Sequence, residues 1–327
     1  MSNSLKHIRR VDIEFQSYCN RKCDWCPNKE FDRDFKEYLK ESSYIRLLLN
    51  LKSEGFGSIL NFQSENKKRM SYVKRFTPNQ PKLSFLGYQE AFGSIDIFKD
   101  RVNSAYSILP PNVELLTNSN GDFISKDSLL DLPLTTLSIM DYDSKGRDYW
   151  REKLKELDVL IIEDVENRNE LIGIHENIGN VRVSLNWVEN WLIEDRGGSL
   201  KKEDLPDLNW KNNCSERIVP CPEPTYYINI SYDGSVMPCC HLRPDNPKHK
   251  EFILGNINDD NIKDIYYSEK AIKFRKQLQN ENGDYPEPCK HCQKVRATTC
   301  IGDPEGFEYY GEKYKGNKIN KDFKVFN

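Results

Sequence analysis

Three cysteines, Cys19, Cys23 and Cys26, stand within eight residues at the spacing C-x3-C-x2-C. Three thiols cannot all pair with one another, and they fall one ligand short of the four that close a structural zinc or iron–sulfur site. Either a fourth ligand comes from elsewhere, or one metal position is meant to stay open. A second group lies in the last third of the chain. There Cys221 and Cys239 are spaced C-x12-G-x4-C through Gly234, and Cys289 and Cys292 follow as C-x2-C.

These thiols need elements to hold them. Residues 8–15, "IRRVDIEF", alternate apolar and polar and predict a first strand, so the first cysteine group falls in the loop at its C-terminal end. The spacing of "SYIRLLLNLKSEG" (43–55) predicts a helix that stops at Gly55. "PKLSFLGYQEAFG" (81–93) predicts a strand from Leu83 to Leu86 running into a glycine turn. The helical "SIDIFKDRVNSAYSIL" precedes a strand in "PNVELLTNSNG" (111–121), and "LTTLSIMDYD" (134–143) and "NVRVSLNWVEN" (180–190) repeat the pattern of strand and polar loop. Strands alternating with helices predict a mainly parallel sheet, whose ligands gather at the strands' C-terminal ends. Further on, "TYYINISY" predicts a strand, and an Asp233-Gly234 hairpin turn brings Cys221 and Cys239 together. A helix is expected in "NIKDIYYSEKAIKFRKQLQ" (261–279).

The connection at 55–80 is longer than usual. Its Lys67, Lys68, Arg69, Lys74 and Arg75 suit either an anionic substrate or, more simply, a solvated charged loop. The Gly-, Pro- and charge-rich stretch 195–213 marks a boundary.

The 327 residues suffice for one large α/β domain and a smaller one. With 37 % hydrophobic and 30 % charged residues, a formal charge of −3 and a pI near 6.1, the chain lacks the basic footprint of a nucleic-acid binder. No stretch approaches a transmembrane span, and the N-terminus has no apolar signal segment. A cytoplasmic location is expected, with no nucleic-acid or membrane partner. In that reducing compartment ten clustered cysteines speak for metal ligation before free thiols.

"CNRKCDWC" resembles the hallmark C-x3-C-x-(aromatic)-C of the radical S-adenosylmethionine (SAM) enzymes, with Trp25 in the aromatic slot. The resemblance implies an α/β fold, a partial (β/α)6 radical SAM barrel with a small C-terminal cysteine-rich SPASM/twitch domain. It implies a [4Fe–4S] cluster on Cys19, Cys23 and Cys26, whose open iron is chelated by SAM. Reductive cleavage of SAM would then give a 5′-deoxyadenosyl radical that abstracts hydrogen from carbon. "GYQE" (87–90) occupies the place of the family's GGE or GYGE motif, which implies that Gly87, Tyr88 and Glu90 hold the SAM ammonium; Gln89 replaces a glycine and Ala91 a proline. "TNSNG" (117–121), with Asn118, looks like the TNG turn. Ser138, Asp141, Ser184 and Asn186 are placed to touch the SAM ribose or carboxylate, or serve simply as loop formers.

The C-terminal third resembles the SPASM/twitch extension. A full SPASM domain carries seven cysteines, whereas Cys300 follows Cys292 after a seven-residue gap and no cysteine comes later. This departure implies the shorter twitch form, with one auxiliary [4Fe–4S] cluster on Cys221, Cys239, Cys289 and Cys292. A four-cysteine zinc site is the alternative. Cys214, Cys240 and Cys300 are left over, and Cys240 is either a packed spectator or a hydrogen-atom donor to a substrate radical. His241 and His291 flank cluster ligands as tuning groups or exposed loop residues.

The expected organisation is a core barrel over 1–205, an auxiliary domain over 206–300 and a tail over 301–327. Oxidation or epimerisation of a small polyol, sugar or cyclitol competes with modification of a ribosomally made peptide, and a zinc-bearing scaffold is the non-enzymatic rival. The first strand begins near residue 8, without a peptide-recognition domain before it, which tilts the expectation to a small molecule. An electron donor such as flavodoxin or ferredoxin is implied.

Overall fold

The computed structural model describes residues 4–31, 33, 35–58, 81–190, 193–210, 221, 223–278, 285–290 and 292, and the backbone of 307–309 and 312–314. The basic connection, Cys214, His291 and Cys300 lie outside the described residues.

The core runs β1 (Arg10–Ile13), α1 (Glu41–Ser53), β2 (Lys82–Phe85), α2 (Ile95–Ile108), β3 (Glu114–Ser119), α3 (Lys126–Leu129), β4 (Thr136–Met140), α4 (Gly146–Glu156), β5 (Leu160–Val165), β6 (Glu170–Ile174), β7 (Asn180–Ser184) and α5 (Trp187–Asn190). The C-terminal region adds α6 (Glu223–Tyr226), β8 (Tyr227–Ile230), β9 (Ser235–Met237), β10 (Gly255–Asn256), α7 (Ile262–Tyr266), α8 (Glu269–Gln277) and α9 (Glu287–Lys290). A separate two-stranded sheet joins β11 (Phe307–Tyr309) to β12 (Glu312–Tyr314).

Among the described residues, ten strands make one sheet in the order β10-β9-β8-β1-β2-β3-β4-β7-β6-β5. From β8 to β7 every pairing is parallel, and antiparallel strands extend the sheet at both ends. The expected parallel α/β sheet is therefore present, with one of its parallel strands, β8, supplied by the cysteine-rich region and laid against β1.

Strand alternation divides the sheet's two faces. Val11, Ile13, Leu83, Phe85, Leu115, Leu137, Ile139, Val181 and Val183 form one apolar core with Tyr44, Leu47, Leu48 and Leu51 of α1 and Phe98, Val102 and Ala105 of α2. Those helical residues recur at three- and four-residue spacing, which puts them on one face of each helix. The other face of the sheet is polar: Asp12 pairs across from Ser84, Asn118 from Ser138, and Ser138 from Arg182. A polar row inside a sheet contributes little to packing and gives a ligand cavity its hydrogen-bonding groups.

Two local expectations are corrected, and one hairpin had no counterpart among them. The strand expected from Thr225 starts only at Tyr227, because Glu223–Tyr226 form a helical turn. The expected helix over 261–279 is two helices, since Ser268 accepts a hydrogen bond from the Ala271 amide (3.2 Å) and caps the second. The β5–β6 hairpin was unforeseen: a register shift between Ile161 and Glu163 breaks the alternation that would have announced it.

Candidate functional site

The chain leaves β1 at Ile13 and enters the loop that carries the first cysteine group. Here the Cys19 amide donates to the Arg33 carbonyl (3.0 Å) and the Cys26 amide to the Cys23 carbonyl (3.0 Å). Burial, with smaller contributions from Cys26 to both and from Cys19 to Cys23, pushes the Cys19 thiol up to about 11 and the Cys23 thiol up to about 12. The loop thus brings three protonated thiols into mutual influence, and a metal that bound them would have to displace their protons. Arg21, between two of the cysteines, fixes the loop to the far strands: its guanidinium reaches Asp122 after β3 (2.6 Å) and Asp143 after β4 (2.7 Å). Asn20 adds hydrogen bonds to Asp122 (2.7 Å) and Asn120 (2.8 Å).

The Gly87–Glu90 turn follows β2 and packs against this loop. Gly87 has φ of +117°, and a Cβ there would collide with the Glu14 carboxylate, so the position requires glycine. Glu14 Oε1 accepts the Tyr88 amide (2.5 Å). Gln89, where the family pattern has glycine, ties the turn to β1. Its Oε1 accepts the Phe15 and Gln16 amides (3.0 and 3.1 Å) and its Nε2 donates to the Ile13 carbonyl (2.9 Å). The side chain acts as a short stand-in strand at the end of β1. Glu90 is 2 % exposed and accepts from Ser119 Oγ (2.7 Å) and from the amides of Asn120 (2.8 Å) and Phe92 (3.3 Å). Burial outweighs those bonds and raises its carboxyl to about 7.

Of the other expected residues, Asn118 and Ser138 share the polar face in register, with Asn118 exposed and Ser138 buried. Ser184 accepts a hydrogen bond from Arg182 (3.0 Å), which also pairs with Glu170 (2.9 Å). Asp141 uses its two oxygens to accept the Lys145 and Gly146 amides (3.0 Å each) at the start of α4. Asn186 is half-buried at φ +46°. Trp25 packs on Tyr142 (centroids 5.6 Å apart), which packs in turn on Trp187 (5.3 Å). Tyr142 lies within electrostatic reach of all three cysteines and Glu90, an aromatic wall that the sequence reading did not single out.

In the C-terminal region Cys221, Cys239 and Cys289 share one apolar cluster with Met237, Leu242, Phe252, Phe274, Leu278 and Tyr285. Cys221 is tied to α8 by its amide bond to the Leu278 carbonyl (3.0 Å), and the Cys292 amide turns back onto the Cys289 carbonyl (3.2 Å). Cys292 Sγ lies 3.9 Å from His241 Nδ1, whose Nε2 is 2.9 Å from Glu194. His241 is therefore a buried residue, 2 % exposed, and not an exposed loop residue. Its burial disfavours the charged ring, but Cys292 and Glu194 outweigh that and raise it to about 10. Cys240 is half-buried, and its carbonyl accepts the Tyr88 hydroxyl (3.2 Å). Among the described residues no group of three or more His, Cys, Asp or Glu side chains is gathered so as to hold a single metal ion.

A parallel sheet whose first strand feeds a C-x3-C-x2-C loop, with a cysteine-rich extension paired to that same strand, is the fold of the radical SAM enzymes with a SPASM-type C-terminal domain. Residues 221–293 match the SPASM family, an iron–sulfur cluster-binding domain. The chain is 20 % identical over 297 residues to the S-adenosyl-L-methionine-dependent 2-deoxy-scyllo-inosamine dehydrogenase of Niallia circulans, covering 90 % of this chain and 96 % of that protein. The crystal structure of BtrN in complex with AdoMet and 2-DOIA superposes with a TM-score of 0.57 at 18 % identity, over 88 % of this chain and 94 % of that one. The open conformation of BtrN gives 0.51 at 17 % identity, over 88 % and 93 %. These likenesses show the expected fold class.

Proposed function

We propose that this protein is a radical SAM oxidoreductase that dehydrogenates a small polyol or aminocyclitol. The observation that carries the reading is the position of Tyr88 and Arg196. Both lie within electrostatic reach of Cys26 in the first cysteine group and of Cys240 beside the second, and the Tyr88 hydroxyl donates to the Cys240 carbonyl (3.2 Å), so the two groups flank the same pair of side chains. The curated relative, a SAM-dependent dehydrogenase of a cyclitol amine, supports oxidation and a small substrate over a peptide.

The donor chemistry suits these cofactors, since a cluster spreads its thiolate ligands over several irons and does not need them gathered on a single ion. Thiolates are the ligands of iron–sulfur clusters, three of them leave one iron open, and four close an auxiliary cluster of the twitch type. Cys19, Cys23 and Cys26 would hold the first [4Fe–4S] cluster, which with SAM would supply hydrogen-abstracting radical chemistry, and Cys221, Cys239, Cys289 and Cys292 would hold an auxiliary cluster that would supply a one-electron acceptor. The chain's own residues bind and orient. Gly87 lets the backbone approach, and Glu90, buried with no cation paired to it among the described residues, receives the SAM ammonium. Asn118, Ser138 and Ser184, on one polar face, meet the ribose or carboxylate with Asn186. Asp141, both oxygens engaged by α4, positions that turn. Trp25 and Tyr142 exclude water from the first group.

The organisation follows as a core over 1–205, an auxiliary domain over 206–300 and a tail over 301–327, in a cytoplasmic protein supplied by flavodoxin or ferredoxin. None of the described helices is long and apolar enough to cross a membrane.

A second reading, epimerisation, is favoured by one observation: the Cys240 thiol is half-buried and within electrostatic reach of Tyr88 and Arg196, which would suit a hydrogen-atom donor. The test is turnover of an aminocyclitol in D2O after anaerobic reconstitution. Dehydrogenation gives 5′-deoxyadenosine and a product two hydrogens lighter, with Cys240→Ala active. One deuterium on an inverted carbon, lost in Cys240→Ala, replaces this reading with epimerisation.

A further inference from the structure

Four charges, the buried Glu14, Arg33 and Arg243 and the half-buried Asp245, form a chain that crosses from the core to the C-terminal region. Besides the Tyr88 amide, Glu14 accepts from Ser231 Oγ (2.8 Å) and pairs with Arg33 (3.0 Å). Arg33, its side chain wholly buried, reaches on to Asp245 (2.9 Å). Arg243 closes the chain on Asp245 (2.6 Å). Two acids and two bases balance, which is the condition for keeping charges out of water.

The chain encloses one aromatic ring. The Arg243 guanidinium lies 4.3 Å from the centroid of Tyr88 and that of Arg33 5.5 Å, both within cation–π reach. The Tyr88 hydroxyl donates to the Cys240 carbonyl, and its own carbonyl accepts from Asn28 Nδ2 (2.8 Å), whose Oδ1 accepts from Arg243 (3.2 Å). Tyr88 is thus fastened at its amide, carbonyl, ring face and hydroxyl, and the C-terminal region supplies the hydroxyl's partner and the nearer of the two cations on the ring. Apolar packing would hold two regions together at least as well as a buried charge chain. What the charges add is direction, and all of it converges on the Gly87–Glu90 turn.

We propose that Tyr88 is a positioning residue through which the C-terminal region sets the geometry of the Gly87–Glu90 turn and so couples SAM binding there to its own seating. The inference rests on the reading of this turn as the SAM-ammonium site. Coupling between two sites is reciprocal, so a ligand that orders the turn must tighten residues 240–246 in return.

Hydrogen exchange on the anaerobically reconstituted full chain tests this. In the wild type, saturating SAM slows exchange across 240–246. Tyr88→Phe keeps the ring and loses only the hydroxyl; SAM affinity should fall about tenfold, the value of one hydrogen bond, and saturating SAM should no longer protect 240–246. Arg243→Met should behave alike, with Arg243→Lys restoring part of the effect. Variants that melt earlier yet keep the SAM-induced protection would overturn the coupling and leave a structural contact. Should the wild type hold its iron and bind no SAM, the assignment of the turn fails on its own, and the ligand-free chains decide the positioning role. Exchange at 86–92 must then be faster in Arg243→Met than in the wild type, and equal rates would overturn it.

Discussion

Glu90 carries a measurable signature at the scale of a single residue. Its carboxyl is raised by burial to about 7, against an ordinary value of 4.5, so the ligand-free fold favours the protonated form. A raised carboxyl contributes stability that is complete below the ordinary value and is lost as the pH climbs through about 7. A cation docking beside it reverses the preference and expels the proton. SAM affinity should therefore fall by about tenfold per pH unit below 7 and level off above it. Equilibrium binding from pH 6 to 8 checks this, and Glu90→Gln should flatten the profile and weaken binding by about 3 kcal/mol. A second prediction concerns Gly87. Gly87→Ala forces an L-residue to φ +117° and drives its Cβ into Glu14, and it should cost about 2 kcal/mol or more in chemical denaturation. Glycine at 87 was legible from its place after a strand, and the three cysteines from their spacing. Glu14, Arg33, Arg243 and Asp245 were not, because their partners are up to 217 residues apart in sequence, Glu14 to Ser231, and each alone reads as an ordinary surface charge.

The elements show where local pattern suffices and where it fails. Strands β1 to β4 and β7 and helices α1 and α2 were all expected: one buried face imposes a period of 3.6 on each helix, and the strands are short, largely buried runs that end at polar turns. The β5–β6 hairpin escaped: its outer strand is a sheet edge with Leu160 68 % exposed and acidic residues at Glu163 and Asp164, so no buried stripe marks it. Neither was it legible that the cysteine loop is held from across the sheet by Arg21. That loop has little regular structure beyond a short 3-10 turn at Pro27–Lys29, and its shape depends on side chains it reaches. Arg21→Met removes both ion pairs and leaves the thiols intact. Iron content after reconstitution should drop from about eight towards about four per chain, with the loss confined to the first group. Retention of about eight irons would show that the loop folds around its cluster without the clasp.

For the whole molecule, the division into a core and an auxiliary domain meets a structural constraint. β8 belongs to the cysteine-rich region, yet it lies inside the parallel run, paired with β1 at four positions from Arg10↔Tyr227 to Ile13↔Ile230. Removing it would leave β1 as an open edge, the position that proteins cover or blunt because its unpaired amides and carbonyls recruit other strands. It would also strip partners from buried charges. Asp12 would lose the Tyr227 hydroxyl, Glu14 the Ser231 hydroxyl, and Arg33 its second carboxylate, Asp245. Breaking a buried pair by deleting one partner costs about 3–5 kcal/mol, a large share of the roughly 5–15 kcal/mol by which a domain is stable. A fragment of residues 1–205 should therefore fail to fold cooperatively, although it contains the whole first cysteine group. Circular-dichroism melting and gel filtration would show a broad transition and association, and iron loading would be poor. A sharp, reversible melt of a monomeric fragment holding about four irons would mean that the core is autonomous and that the β1–β8 pairing is only an attachment.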